Sequence, residues 1–191
     1  MNTSSRRLFI ALPINDEQAV RSLDNVLKKL SKYKSLIKTV PADNFHITLK
    51  FFGSVDFPLS DSITDSFLSL TSLKKVEYTI KGIGAFPSVS DPSVIWAGLK
   101  CDEKPLDEIL RSVEALASES GFPPEKRKFL PHLTLGRVKR EKIAPPELKS
   151  YLLKERDSLF ASSEFSELVL FESILKNTGA EYKKIGVLKL Q

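Results

Sequence analysis

The tightest constraint on the fold is a repeat. Phe45-His46-Ile47-Thr48-Leu49-Lys50 is answered by Pro131-His132-Leu133-Thr134-Leu135, so a His-apolar-Thr-Leu tetrad occurs twice. The chain holds two histidines in 191 residues, and each opens a copy. In a β-strand, residues i and i+2 share one face while i+1 and i+3 share the other. His46 and Thr48 are therefore expected on one face with Ile47 and Leu49 buried behind them, and His132 and Thr134 likewise.

The rest of the chain reads as alternating strands and helices. Arg7 to Leu12 is a strand closed by Pro13. Asn15 is placed to cap a helix over about 16–33, with Gln18 three residues on and Val20, Leu23, Leu27 and Leu30 at helical spacing. A short strand, 37–40, and a turn over 41–44 lead into the first tetrad strand, which Gly53 is expected to end. Ser60 is a candidate cap for a second helix, followed by strands over 76–81 and 94–99 with a loop from Phe86 to Pro92 between them. Pro105 sits early in a further helix that Gly121 closes. After the second tetrad strand, Pro145-Pro146 starts a shorter helix, and the tail is expected to form a hairpin turning at Asn177-Thr178-Gly179.

The histidines are 86 residues apart, near half the chain, and each tetrad follows a long amphipathic helix and a proline-bearing turn. That pattern points to duplicated halves, with both histidines facing one cleft. No flexible linker separates the halves, so residues 1–191 are expected to form a single two-lobed domain.

Hydrophobic residues make up 41% and charged residues 28%, ordinary for a soluble protein. The net charge of +5 favours an anionic partner without naming one. Cys101 is the only cysteine, which excludes an intrachain disulfide and fits a reducing compartment, with the thiol expected as core filler. No run approaches the ~20 apolar residues of a membrane span. The run after Arg6-Arg7 lacks a cleavage site and is read as a buried first strand, so a cytoplasmic protein is expected.

Imidazole titrates near neutrality, so two facing imidazoles can divide acid and base work. A phosphodiester suits such a pair: one imidazole activates the attacking hydroxyl or water and the other protonates the departing oxygen. The two threonine hydroxyls can bind non-bridging phosphate oxygens, where charge builds up. Seven basic residues lie between Lys126 and Lys142 against one acid, Glu141, which also favours an anion. Arg137 is five residues after His132, so an uninterrupted strand would turn it to the opposite face; a bulge or strand end at Gly136 would bring it back. Phe9, Phe51, Tyr78 and Phe129 could stack nucleobases, although core packing is the expectation for each. His-x-x-x-His, His-Glu-x-x-His and Cys-His metal patterns are absent, as are a P-loop and G-x-G-x-x-G, so neither metal nor nucleotide cofactor is expected.

These residues resemble the two-histidine (2H) phosphoesterase superfamily, and within it the RNA 2',3'-cyclic phosphodiesterases, also called 2'-5' RNA ligases. The likeness runs from Arg7-Leu8-Phe9-Ile10-Ala11 through Asn44 to Gly53, Trp96-Ala97-Gly98 and Pro131 to Arg137. Two positions depart from the usual pattern: Leu130 stands where arginine often precedes the second Pro-His, and Phe52 where leucine is usual. The resemblance implies an α/β (α+β) fold, a bilobal pseudo-twofold arrangement of two antiparallel sheets flanked by helices, with the active-site cleft between them. It implies metal-independent hydrolysis of RNA 2',3'-cyclic phosphate ends to 2'-phosphomonoesters, with His46 as proton donor and His132 as proton acceptor. Thr48, Thr134 and Arg137 would bind substrate. No cofactor or obligate protein partner is implied. Two alternatives stand beside this reading: 2'-5' RNA ligation by the reverse reaction, and a catalytically silent RNA-binding module.

Overall fold

Strands that bury one or both faces must find partners, and here they form two antiparallel sheets. A computed structural model describes residues 5–139, 144–176 and 179–191. Among these residues the first sheet holds β1 (Ser5–Pro13), β3 (His46–Asp56), β8 (Glu167–Lys176) and β9 (Gly179–Lys189), in the order β3-β1-β8-β9. The second holds β2 (Ile37–Thr39), β4 (Val76–Pro87), β5 (Pro92–Cys101), β6 (His132–Val138) and β7 (Leu159–Phe165), in the order β2-β6-β5-β4-β7. Five α-helices flank them: α1 (Glu17–Ser22), α2 (Asp24–Ser31), α3 (Phe57–Leu68), α4 (Glu103–Glu119) and α5 (Pro146–Lys154). The two tetrad strands, β3 and β6, touch each other and bring the sheets together.

The helices cover the sheets in a crossed pattern. Helix α3 packs on β1, β3 and β9, and α5 on β4, but α4 crosses to β3 while α1 and α2 lie against β7 and β2. Leu106, Ile109, Val113 and Leu116 make the buried stripe of α4, at the spacing the sequence predicts. One continuous apolar core runs through both sheets, including Ile10, Ile47, Ile80 and Leu133. Strand β1 lies between β3 and β8 and is buried on both faces from Leu8 to Pro13. Its sequence is accordingly a continuous apolar run.

Several local expectations are corrected. Asp16, not Asn15, caps α1, its carboxylate accepting from the Ala19 amide at 2.7 Å. The single helix expected over 16–33 is two, meeting at Leu23. Ser60 lies inside α3, fully buried, and donates to the Phe57 carbonyl; the capping position is Asp56. Strand β3 continues through Gly53 at φ +75° to Asp56. Strands β4 and β5 take up Phe86, Pro87 and Pro92 of the loop expected between them, leaving Ser88 to Asp91 as the connection. The tail hairpin forms as β8 and β9, its Asn177 and Thr178 lying outside the described residues, as do Arg140, Glu141 and Lys142 of the basic run. No helix of the described residues is long and apolar enough to cross a membrane.

Candidate active site

Both tetrads have the alternation the sequence predicts. Ile47 and Leu133 are buried behind their strands, Thr48 is exposed, and His46, His132 and Thr134 are half-buried. Each imidazole is held by the backbone two residues upstream: His46 Nδ1 lies 2.7 Å from the Asn44 carbonyl and His132 Nδ1 lies 2.8 Å from the Leu130 carbonyl. A carbonyl oxygen only accepts, so Nδ1 carries the proton in both rings. Nε2 is then the lone-pair nitrogen of each neutral imidazole, and neither meets a protein hydrogen-bond partner among the described residues.

Both strands are bulged at the same place in the tetrad. Ala11 pairs with Thr48 and Ile10 with Lys50, leaving Leu49 as the extra residue. Trp96 pairs with Thr134 and Ile95 with Gly136, leaving Leu135 extra. A bulge shifts side-chain parity by one. The fifth residue after each histidine, Phe51 and Arg137, is thereby returned to the face of the imidazole and hydroxyl. Parity alone would have turned Arg137 away. Gly136 is not itself the bulge: a Cβ there would lie 2.8 Å from Ile37 Cγ2, so its smallness serves the approach of β2.

Between the sheets lies a cavity of about 520 Å³. His46, Thr48 and Phe51 line it from the first sheet, Thr134 and Arg137 from the second, and Arg7 and Tyr182 also reach it. Four of the five sequence-predicted site residues thus share one cavity. His132 does not line it. It opens on a second hollow of about 380 Å³ over the β4–β6 face, although its charge still reaches His46.

The surroundings of His46 are apolar. Its ring lies 5.1 Å from that of Phe9 and 5.3 Å from Tyr182, with Phe171 at 6.1 Å. This burial pushes its pKa below the ordinary imidazole value; the Asn44 carbonyl opposes the shift, and the charges of Arg137 and His132 add to it. Phe51, expected in the core, is 51% exposed, with the Arg7 guanidinium 5.3 Å from its ring centre. Arg7, Phe171 and Tyr182 were not legible as site residues from sequence, since no local motif marks them. The unbroken apolar run of β1 is the one available signal, because a strand buried on both faces must have a neighbour over each. Burial pushes the Cys101 thiol up to about 12, with Asp102 adding to the shift, which fits filler. Among the described residues no three His, Cys, Asp or Glu side chains gather as a metal-binding set.

The sequence matches the family model described as LigT like phosphoesterase twice, over residues 12–96 and 99–182. The chain belongs to that family. Each match contains one tetrad. Among relatives of this phosphoesterase, an RNA 2',3'-cyclic phosphodiesterase of Aeropyrum pernix is 37% identical over 154 residues, covering 80% of this chain and 86% of that protein. Another of the same name, from Archaeoglobus fulgidus, is 34% identical over 95% of this chain and 98% of its own. The crystal structure of Escherichia coli LigT in apo form superposes with a TM-score of 0.75 at 21% identity, covering 98% of this chain and 99% of that one. The two-sheet architecture is therefore that of the LigT-like phosphoesterases.

Proposed function

We propose that this phosphoesterase hydrolyses RNA 2',3'-cyclic phosphate ends to 2'-phosphomonoesters without a metal ion, His46 donating and His132 accepting the proton. The observation that carries the reading is the matched pair of imidazoles, each with Nδ1 tied to a carbonyl and Nε2 left for chemistry. The names of the relatives supply the substrate class.

In the proposed step a water oxygen attacks phosphorus and passes its proton to His132 Nε2. The P–O3' bond breaks, and the 3'-oxygen takes a proton from His46 Nε2. Negative charge gathers on the non-bridging oxygens, where the Thr48 and Thr134 hydroxyls and the Arg137 guanidinium can meet it. A lowered pKa for His46 would by itself suit a base. The bound phosphate answers this: an anion between His46 and Arg137 offsets the arginine's charge and favours the imidazolium.

The test is incubation of an oligonucleotide ending in a 2',3'-cyclic phosphate with excess chelator, followed by identification of the product isomer. The expected product is the 2'-phosphate, at an undiminished rate. His46→Ala and His132→Ala are each expected to lose about 100- to 10,000-fold in rate. Full turnover by either variant, a 3'-phosphate product, or loss with chelator overturns the reading. Salt-sensitive RNA binding with no turnover would mark a binding module instead.

A further inference from the structure

We infer that a cavity adjoining that of His46 is a subsite for the penultimate nucleotide of the substrate, where Lys38 binds the phosphate that joins it to the cyclised one. This rests on the proton roles proposed above. The cavity measures about 610 Å³ and shares Val40, Asn44, Arg137, Ala180 and Tyr182 with the first. It shares no lining residue with the hollow of His132. In-line displacement sets the attacking and departing oxygens on opposite sides of phosphorus. His46 serves the departing 3'-oxygen, so the cyclised nucleoside lies on its side, together with the chain that continues from the 5'-oxygen. The adjoining cavity opens on that side.

Its charges are arranged for a second anion. Lys38 on β2 stands directly opposite Arg137 on β6, and opposed residues of an antiparallel ladder share a face. The bulge that turns Arg137 into the cleft therefore sets it beside Lys38. Like charges in that relation destabilise a sheet. Among the described residues neither side chain has a carboxylate partner. The remaining cation of the cavity, Lys176, is taken by Glu181, and Asp43 is the one further carboxylate in its lining. Of the two cavities, Arg137 lines both and Lys38 the second alone. The cyclic phosphate accounts for Arg137. A phosphodiester one nucleotide along the same chain accounts for Lys38 and offsets the repulsion between the two.

Lys38 also closes the gap between the sheets. A Cβ on Gly179, the first residue of β9, would stand 3.1 Å from its Nζ, so the ammonium reaches from β2 to the tail hairpin. A side chain at 179 would press on it. Tyr182 forms part of the wall common to both cavities and offers a ring on which a base can stack whatever its identity. A lysine for the phosphate and a ring for the base hold single-stranded RNA without reading its sequence. The preferred substrate is then an RNA end of two or more nucleotides. A mononucleoside 2',3'-cyclic phosphate leaves the second cavity unused.

The experiment measures kcat/KM for a diribonucleotide and a mononucleoside, each ending in a 2',3'-cyclic phosphate, and takes their ratio, so that a general loss in a variant cancels. The unaltered protein is expected to prefer the dinucleotide by about tenfold, which is what one hydrogen bond to a charged group contributes. Lys38→Gln should bring the ratio near unity through KM rather than kcat, because the lost contact is made equally in the ground and transition states. Lys38→Arg should keep the preference. A dinucleotide whose internal linkage is an uncharged methylphosphonate should behave as the mononucleoside does, with either residue at 38. A ratio near unity in the unaltered protein, a preference that survives Lys38→Gln, equal loss on both substrates, or a methylphosphonate turned over as well as the phosphate overturns the subsite. Turnover of neither substrate counts against the proposed function instead. In that event binding of a diribonucleotide ending in a 2'-phosphate, expected to weaken about tenfold in Lys38→Gln, decides the subsite separately, and unchanged binding overturns it.

Discussion

At the scale of the residue, the two histidines share a fixation and differ in setting. Three aromatic rings and the Arg137 charge surround His46, so its protonated form is disfavoured before substrate arrives. An acid must be protonated to act. The alkaline fall of kcat/KM, which reports the free protein, is therefore expected below the ordinary imidazole pKa of about 6.5. Removing a neighbouring positive charge raises an imidazole pKa. Arg137→Gln should accordingly move that limb to higher pH even as the maximum falls about 100-fold, because the phosphate loses a charged donor. Burial is the larger cause and stays in place, so the limb should recover only part of the shift. A limb that stays put or moves down would show that the arginine charge is not felt at His46.

At the scale of the element, the tetrad strands were legible because a period of two places four residues without knowing the partner strands. What alternation cannot encode is a bulge, which belongs to the pairing of two strands; Leu49 and Leu135 look like any other core leucine. Strand β7 was missed for a related reason. Among the described residues it pairs with β4 alone, along a sheet edge, and Leu159-Phe160-Ala161-Ser162-Ser163 shows no apolar alternation. Lys50, just past the first bulge, links elements in a way no local reading reveals. Its Nζ, 9% exposed, donates to both Glu114 carboxylate oxygens on α4 and to the Pro123 carbonyl, in the segment that leads to His132. Lys50→Met should destabilise the protein by about 2 kcal/mol, because Glu114 stays partly hydrated. Pairing it with Glu114→Leu should recover most of the loss, with urea unfolding as the measurement. No loss in the single variant would show that the link contributes nothing.

At the scale of the whole molecule, the duplication was visible as a spacing of 86 residues, but its manner of assembly was not. Glu167 shows how closely the ends are tied. Only 5% exposed, it accepts from Asn15 at 2.9 Å, from Lys189 at 3.0 Å and from Lys184. Burial would raise its pKa, but these bonds outweigh burial and hold the carboxyl down to about 2. A depressed carboxylate stabilises the fold above its unfolded pKa, near 4.5, and loses that contribution as pH falls toward 2. The free energy of unfolding, measured with urea, should therefore fall steeply between pH 4.5 and 2, and Glu167→Gln should flatten that fall by up to about 3 kcal/mol. An unchanged acid profile in the variant would assign the loss to other groups.

The crossed packing carries this further. The first half of the chain gives β1 and β3 to the first sheet and β2 and β4 to the second; the second half gives β6 and β7 to the second and β8 and β9 to the first, and β5 spans the boundary between the two family matches. The helices α1 and α2 of one repeat, and α4 of the other, make the same exchange. A half-length chain on its own would have a sheet missing a strand and a helix with nothing to cover. Each repeat supplies the other's deficits, so the two halves of this chain are expected to fold only together.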